Sequence, residues 1–242
     1  MKTKHFRTLL TLLLAGIFLT YGFTAFAAEA GKVFFSAYVE GSSNNKAVSI
    51  FNGYGVDLDL TNYEVWIYSN GNTSTSAEIT LNGTLAPGEI FVLANSSADT
   101  ELLALADMTS GSLTFNGNDA VALIQLEDQS NTLIEEPMDI IGRIGEDPGS
   151  EWSGGGVGTQ NETLYRDETV TVGDMDGSDA FDPSAEWTSA AQDTFTGIDT
   201  FTPDGWTPNA ITLSNLNAIS PILSLSGALV LAGAVVVLRK RR

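Results

Sequence analysis

The chain has no cysteine, and its single histidine, His5, stands near the start of the 242 residues. Without cysteine there is no disulfide and no thiolate nucleophile. Beyond residue 27 there is no imidazole either, so neither a Ser-His-Asp triad nor a zinc site of imidazole and thiolate ligands can be assembled there. Positive charge is scarce in the same region. Of the 11 Lys and Arg, Lys2, Lys4 and Arg7 open the chain, and Arg239, Lys240, Arg241 and Arg242 close it. Lys32, Lys46, Arg143 and Arg166 remain to face all 30 Asp and Glu. That imbalance argues against direct nucleic-acid binding, which depends on cations set against phosphates. Carboxylates alone can still hold a hard cation such as Ca²⁺ or, as a pair, hydrolyse a glycoside. Their plainer role is solubility, and a non-catalytic protein is the expectation.

Long apolar runs occur only at the two ends. Lys2, Lys4 and Arg7 precede the run Leu9 to Leu19, and Ala25-Phe26-Ala27 supplies a small-x-small cleavage pattern, so residues 1–27 read as a signal peptide. The stretch 221–238 carries no charge and is followed at once by the basic residues 239–242. As a helix it would rise about 27 Å at roughly 1.5 Å per residue, enough for a thin hydrocarbon core. A transmembrane helix with a basic cytoplasmic end is therefore expected. These ends predict an exported single-pass protein of the cell envelope or cell surface with the membrane as its partner.

Between the ends, short strands alternate with turn residues. Val56-Asp57-Leu58-Asp59-Leu60 has the period of a half-buried strand, and Tyr63 to Tyr68 runs into the turn residues Ser69-Asn70-Gly71-Asn72. Glu78 to Leu81 is a further short run. Glu89 to Ala94 is apolar on both faces, as a central strand would be. Ala120 to Leu126, Thr132 to Ile134 and Met138 to Ile144 follow, with a turn over 127–131. Only Thr100 to Ala106 suggests a helical turn. The pattern predicts an all-β antiparallel sandwich or barrel. Residues 145–198, rich in Gly, Asp and Ser, read as loops packed on the sandwich by Trp152 and Trp187, which sets the domain at 28–198. Residues 199–220 read as an extended linker.

A series of ordered motifs resembles the lamin-tail domain in its bacterial secreted form. They begin with Phe34-Phe35-Ser36-Ala37-Tyr38-Val39-Glu40-Gly41-Ser42 and Ile50-Phe51-Asn52-Gly53. They continue through Leu85-Ala86-Pro87-Gly88, Phe115-Asn116-Gly117-Asn118-Asp119, Ile141-Gly142-Arg143 and Asp182-Pro183-Ser184-Ala185-Glu186-Trp187. The resemblance implies an immunoglobulin-like β-sandwich and a non-catalytic module for interaction or attachment whose ligand the fold does not identify; a protein or polysaccharide surface ligand is expected as a partner. Bacterial relatives often carry Glu where this chain has Ala37 and Ser49, so no role of those carboxylates transfers. The order of linker, apolar helix and basic end also resembles bacterial C-terminal sorting tails. That implies a membrane processing protease as a partner and release after cleavage, although no Leu-Pro-x-Thr-Gly box precedes the helix.

Two carboxylate groups stand out. Asp174, Asp176, Asp179 and Asp182 lie in a Gly/Ser-rich loop that could turn several oxygens toward one Ca²⁺. The spacing is not that of an EF-hand, because Asp179 stands at the glycine position and Ala185 at the bidentate glutamate position. The competing role is turn capping through backbone N–H groups. Glu146, Asp147 and Glu151 lie beside Trp152, the arrangement from which a carboxylate-only glycoside hydrolase would be built. Three function classes are thus carried forward: a lamin-tail-like binding module, a Ca²⁺-organised acidic surface or matrix protein, and a glycosidase. Arg143 is expected to pair with a neighbouring carboxylate.

Overall fold

In the computed structural model, residues 32–127 and 132–207 are described. The signal peptide expected over 1–27, the helix expected over 221–238, the basic end 239–242 and most of the turn expected over 127–131 lie outside them. No helix among the described residues is long and apolar enough to cross a membrane.

Two β-sheets pack face to face. The chain opens with β1 (Val33–Glu40) and β2 (Lys46–Asn52), both buried along their whole length because each is covered on two faces. A short β3 (Leu58–Asp59) is followed by a 3₁₀ turn, Leu60–Asn62, and then by β4 (Tyr63–Tyr68) and β5 (Ala77–Thr80). Next come β6 (Thr84–Leu85), β7 (Ile90–Asn95), the single-turn helix α1 (Thr100–Leu103) and β8 (Met108–Ser110). β9 (Ala120–Glu127) and β10 (Leu133–Ile141) form a long hairpin. Two-residue strands β11 (Ser153–Gly154) and β12 (Val157–Gly158) make a small ribbon. β13 (Glu162–Arg166) and β14 (Trp187–Ala191) close the element order. One sheet runs β14-β13-β1-β2-β7-β8 and the other β10-β9-β4-β5. Every pair is antiparallel except β7 and β8, which run parallel. The inner faces meet in one core, where Phe35, Tyr38, Ile50, Leu93 and Leu164 of the first sheet face Val65, Ile67, Val121, Leu123 and Ile141 of the second. Tyr38 stacks on Phe115 there at 4.8 Å between centroids.

The clearest periods became strands at the expected places. β4 ends in a turn with positive φ at Asn70 and Gly71, the conformation that suits Asn-Gly. Four expectations are corrected. The strand expected over Val56–Leu60 shrinks to Leu58–Asp59, because the Asp59 carboxylate accepts from Thr61 N–H (3.0 Å) and its hydroxyl (2.6 Å) and caps a turn instead. The runs at Thr132–Ile134 and Met138–Ile144 are one strand, interrupted in register around Pro137, which is tolerated because β10 is an edge strand. The segment 145–198 is loop over most of its length, but it is not merely packed on the sandwich, since β13 and β14 within it complete the first sheet beside β1. Trp152 and Trp187 are buried, as expected.

The fourth correction concerns residues 199–207, read as linker. They continue a strap that begins near Phe195 and crosses the outward face of the six-stranded sheet. Phe195 and Ile198 pack on Ala37, Val39, Ala47, Val92 and Ala94. Phe201 meets the rings of Phe34 (5.8 Å) and Phe51 (5.3 Å). Trp206 meets Phe51 at 5.5 Å, and its indole N–H donates to Gly53 O at 3.2 Å. Gly88 allows this approach, since a Cβ there would run into the Trp206 ring. The small side chains of Ala37 and Ser49, both about 1% exposed, leave this face flat enough to be covered. A glutamate at either position would be buried on a face lined with apolar side chains, at a cost of several kcal/mol.

Candidate functional site

The charge of the domain is arranged in two layers. Inside are two ion-pair nodes that consume Lys46 and Arg166, and outside is a surface dominated by carboxylates.

The larger node joins the two sheets. Arg166, on β13, is 3% exposed and reaches Asp139, on β10, which is fully buried. Arg166 also pairs with Glu186 just ahead of β14, and its Nε donates to Phe35 O at 2.9 Å. The guanidinium lies over the Trp187 ring at 4.0 Å, a cation–π stack. Asp139 accepts from Phe35 N (2.7 Å), Ile140 N (3.1 Å), Asp174 N (2.9 Å) and Arg166. β1 pairs with β13 only over Ala37–Val39, so Phe35 offers its N–H and C=O to these two side chains instead of to a strand. Four donors converging on one carboxylate fix it as an acceptor, hence as the anion. The node is a joint, closed to substrate.

The second node lies at the β1–β2 turn. Lys46 donates to Glu40 (2.5 Å) and Gly41 O (2.6 Å), and the other Glu40 oxygen accepts from Asn161 N–H. Close by, the buried Asn45 amide donates to Asp99 and Asp193, both at 2.9 Å. Arg143 pairs with Glu146 at 2.6 Å on the surface, as expected for a neighbouring carboxylate.

Three of the four aspartate carboxylates of the expected calcium loop serve separate backbone groups. Asp174 accepts from Asp176 N (2.9 Å) and Asp176 from Ser178 N (3.0 Å) and the Ser178 hydroxyl (2.6 Å). Asp182 caps the 3₁₀ turn Pro183–Ala185, accepting from Ser184 N (3.0 Å) and its hydroxyl (2.8 Å). Asp179 donates its backbone N–H to Asp176 O at 3.4 Å and shares the charged environment of Asp174. Among the described residues no group of three or more Asp, Glu, His or Cys is placed to hold a metal ion. The carboxylates of the glycosidase reading are likewise engaged with near neighbours. Glu151 accepts from Gln160 N (3.1 Å), and Asp147 accepts from Gly149 N (2.9 Å) and the Asn118 amide (3.2 Å). Glu151 and Glu162 line an open cleft of about 430 Å³ floored by Gly154–Gly158.

These environments split the carboxylates into two sets. Burial pushes Asp119, Asp174 and Glu186 above the ordinary carboxylate value. Hydrogen bonds from a Thr or Ser hydroxyl two residues on, and from its N–H, hold Asp59, Asp167 and Asp176 below it. In the first set the native state keeps protons that the unfolded chain has already lost, so stability falls as pH rises from the unfolded value through the folded one. The second set stabilises above its unfolded value, and that contribution is lost as pH falls through its lowered folded values. The unfolding midpoint is therefore expected to peak in mild acid, at about pH 4–5, and to decline on both sides. Thermal melts across a pH series at constant ionic strength check this. A midpoint that climbs steadily from acid to neutral pH would refute it.

Residues 27–138 match the Lamin Tail Domain family. No curated protein matches the chain. The match covers β1 to most of β10 and stops one residue before Asp139, so the partner of Arg166 and the strands β13 and β14 lie beyond it.

Proposed function

We propose, from the lamin-tail match over residues 27–138, that the chain is a non-catalytic, exported interaction module, held at the cell envelope by the apolar run 221–238. One observation carries the reading. Lys46 and Arg166 are consumed in buried ion pairs and Arg143 in a surface pair, so the outward face is set by carboxylates that far outnumber the cations beside them. Such a face suits a ligand that is cationic, or an anionic polymer bridged by divalent cations, and disfavours direct contact with nucleic acid. The engagement of Glu146, Asp147, Glu151 and Glu186 with near neighbours supports a binding role over a glycosidase. The sorting-type end supports anchoring followed by release through a membrane protease.

The test compares the full chain with a chain ending at residue 220, each expressed in a bacterial host. The full chain is expected in the envelope fraction and the shortened one in the medium. The shortened chain, added back, is expected to bind envelopes saturably, with binding that weakens as salt rises. Saturable binding indifferent to ionic strength would overturn the charge-based reading. Turnover of envelope polysaccharide by the shortened chain would overturn the non-catalytic one.

A further inference from the structure

The sequence contains four Asn-Gly dipeptides, Asn52-Gly53, Asn70-Gly71, Asn82-Gly83 and Asn116-Gly117. Asn-Gly is the pair in which the next backbone nitrogen attacks the side-chain amide most easily, because glycine has no side chain to obstruct it. The attack needs a reachable Asn carbonyl carbon, a free Gly nitrogen and room for the ring that forms. The fold treats the four pairs very differently.

Asn52 is fully buried, and its amide donates to Val56 O (2.9 Å) and Leu85 O (2.8 Å) while accepting from Tyr54 N (2.9 Å). The attacking nitrogen of Gly53 is itself tied to Lys32 O at 2.8 Å. Gly71 is pressed against the backbone of Asp147, and the Asn70 side-chain oxygen is held by Asn118 at 3.2 Å. Gly117 is buried against Gln160, with its carbonyl bound by Thr159. Asn82 and Gly83 are both exposed. A Cβ built on Gly83 would meet nothing within 4 Å, and the Asn82 amide touches only the Met108 sulfur at 3.2 Å, a weak acceptor.

We propose that Asn82 is a site of spontaneous backbone-assisted deamidation in the native protein, with water as co-reactant, and that the fold protects the other three pairs. The Gly83 nitrogen gives up its proton and bonds to Asn82 Cγ, the bond from Cγ to Nδ2 breaks, and ammonia leaves with the proton. The resulting five-membered succinimide then takes up one water at either carbonyl. It opens to an aspartyl residue or to an isoaspartyl residue whose main chain runs through Cβ. No oxidant or reductant is involved. Each outcome adds a carboxylate just ahead of β6, which pairs with β3 through Asp59 and Thr84, and the isoaspartyl form lengthens the backbone beside the Leu60 N to Gly83 O bond of 2.9 Å.

The test incubates the purified full chain in mildly alkaline buffer and follows each Asn-Gly peptide by mass and by separation of the isoaspartyl form. Conversion at position 82 is expected to lead the other three by at least about tenfold, because those must open locally before they react. In denaturing urea the four should convert at similar rates. Asn82→Gln should abolish the early mass gain, and Asn70→Gln should leave it unchanged. Conversion at Asn52, Asn70 or Asn116 as fast as at Asn82 in the native chain would overturn the proposal. So would a native rate at Asn82 far below its rate in urea.

Discussion

Arg166→Ala is expected to lower the unfolding free energy by about 3–5 kcal/mol, the cost of removing one partner from a buried ion pair. A domain of this size is stable by only about 5–15 kcal/mol, so the change would remove a large share of that margin. The reason is what the change leaves behind. Asp139 stays fully buried with its charge, the Phe35 carbonyl loses its 2.9 Å donor, and Trp187 loses the cation that covers its ring. Replacing Arg166 by Leu together with Asp139 by Asn should recover some of the loss, because no buried charge is then left without a counter-charge. Arg143→Ala is the comparison. Its partner Glu146 is 46% exposed, and such surface pairs contribute under about 1 kcal/mol. Equilibrium urea unfolding measures all of these. A loss for Arg166→Ala no larger than that for Arg143→Ala would show that the node does not hold the sheets together.

A fragment covering only the matched residues 27–138 is expected not to fold. It ends before Asp139, Ile140 and Ile141, and it lacks β13 and β14 altogether. β1 would lose β13, one of its two neighbours in the sheet, Phe35 would lose both side-chain partners, and Leu164, Trp187 and Ile141 would leave the core. The strap would be missing too, baring Phe34, Phe51 and Val92 to water. Each large side chain so exposed costs about 1.5–3 kcal/mol, more in sum than a marginal domain holds in reserve. Near-ultraviolet circular dichroism and urea titration should show no cooperative transition for this fragment and a single sharp one for a chain ending at 207. Cooperative unfolding of 27–138 with a midpoint near that of the longer chain would mean that the later strands are accessory.

The matched region of the fold is also the region most legible in the sequence, for a physical reason. Tyr63–Tyr68, Ile90–Asn95 and Ala120–Glu127 state their burial through apolar and aromatic side chains, and turn residues mark their ends. β13 hides because two of its buried residues are Thr163 and Arg166, and a buried arginine reads as a surface one until its partners are seen. A signal exists at both ends of that pair. Asp139 is the lone acid within the otherwise apolar run 138–141, and Arg166 shares a strand face with Leu164, two residues before it. The Asp-rich loop can be read in two ways from its sequence. Asp59, Asp167, Asp176 and Asp182 each have Thr or Ser two residues later, and each accepts from that residue's N–H and hydroxyl. Spacing alone suggests converging ligands, whereas the recurring Asp-x-Ser/Thr pattern marks a local turn.

The strap across the outer sheet also decides how the domain meets mechanical load. A pull transmitted through residues beyond 207 arrives first at Trp206, then at Phe201, then at Ile198 and Phe195, each seated by its own contacts. These contacts are loaded one at a time, as in peeling, and so give way before the sheet hydrogen bonds, which share the load across a whole strand pair. The Tyr165 hydroxyl donates to Thr196 O at 2.8 Å, and beyond it the Asp193 carboxylate, which accepts from Ser42 N (2.8 Å) and the Asn45 amide (2.9 Å), still ties the chain down before tension reaches β14. The domain therefore has a compliant extension in series with a stiff body. Sustained tension would lengthen the chain by the strap alone while the sandwich stays intact, and when the tension ends the same aromatic contacts draw it back.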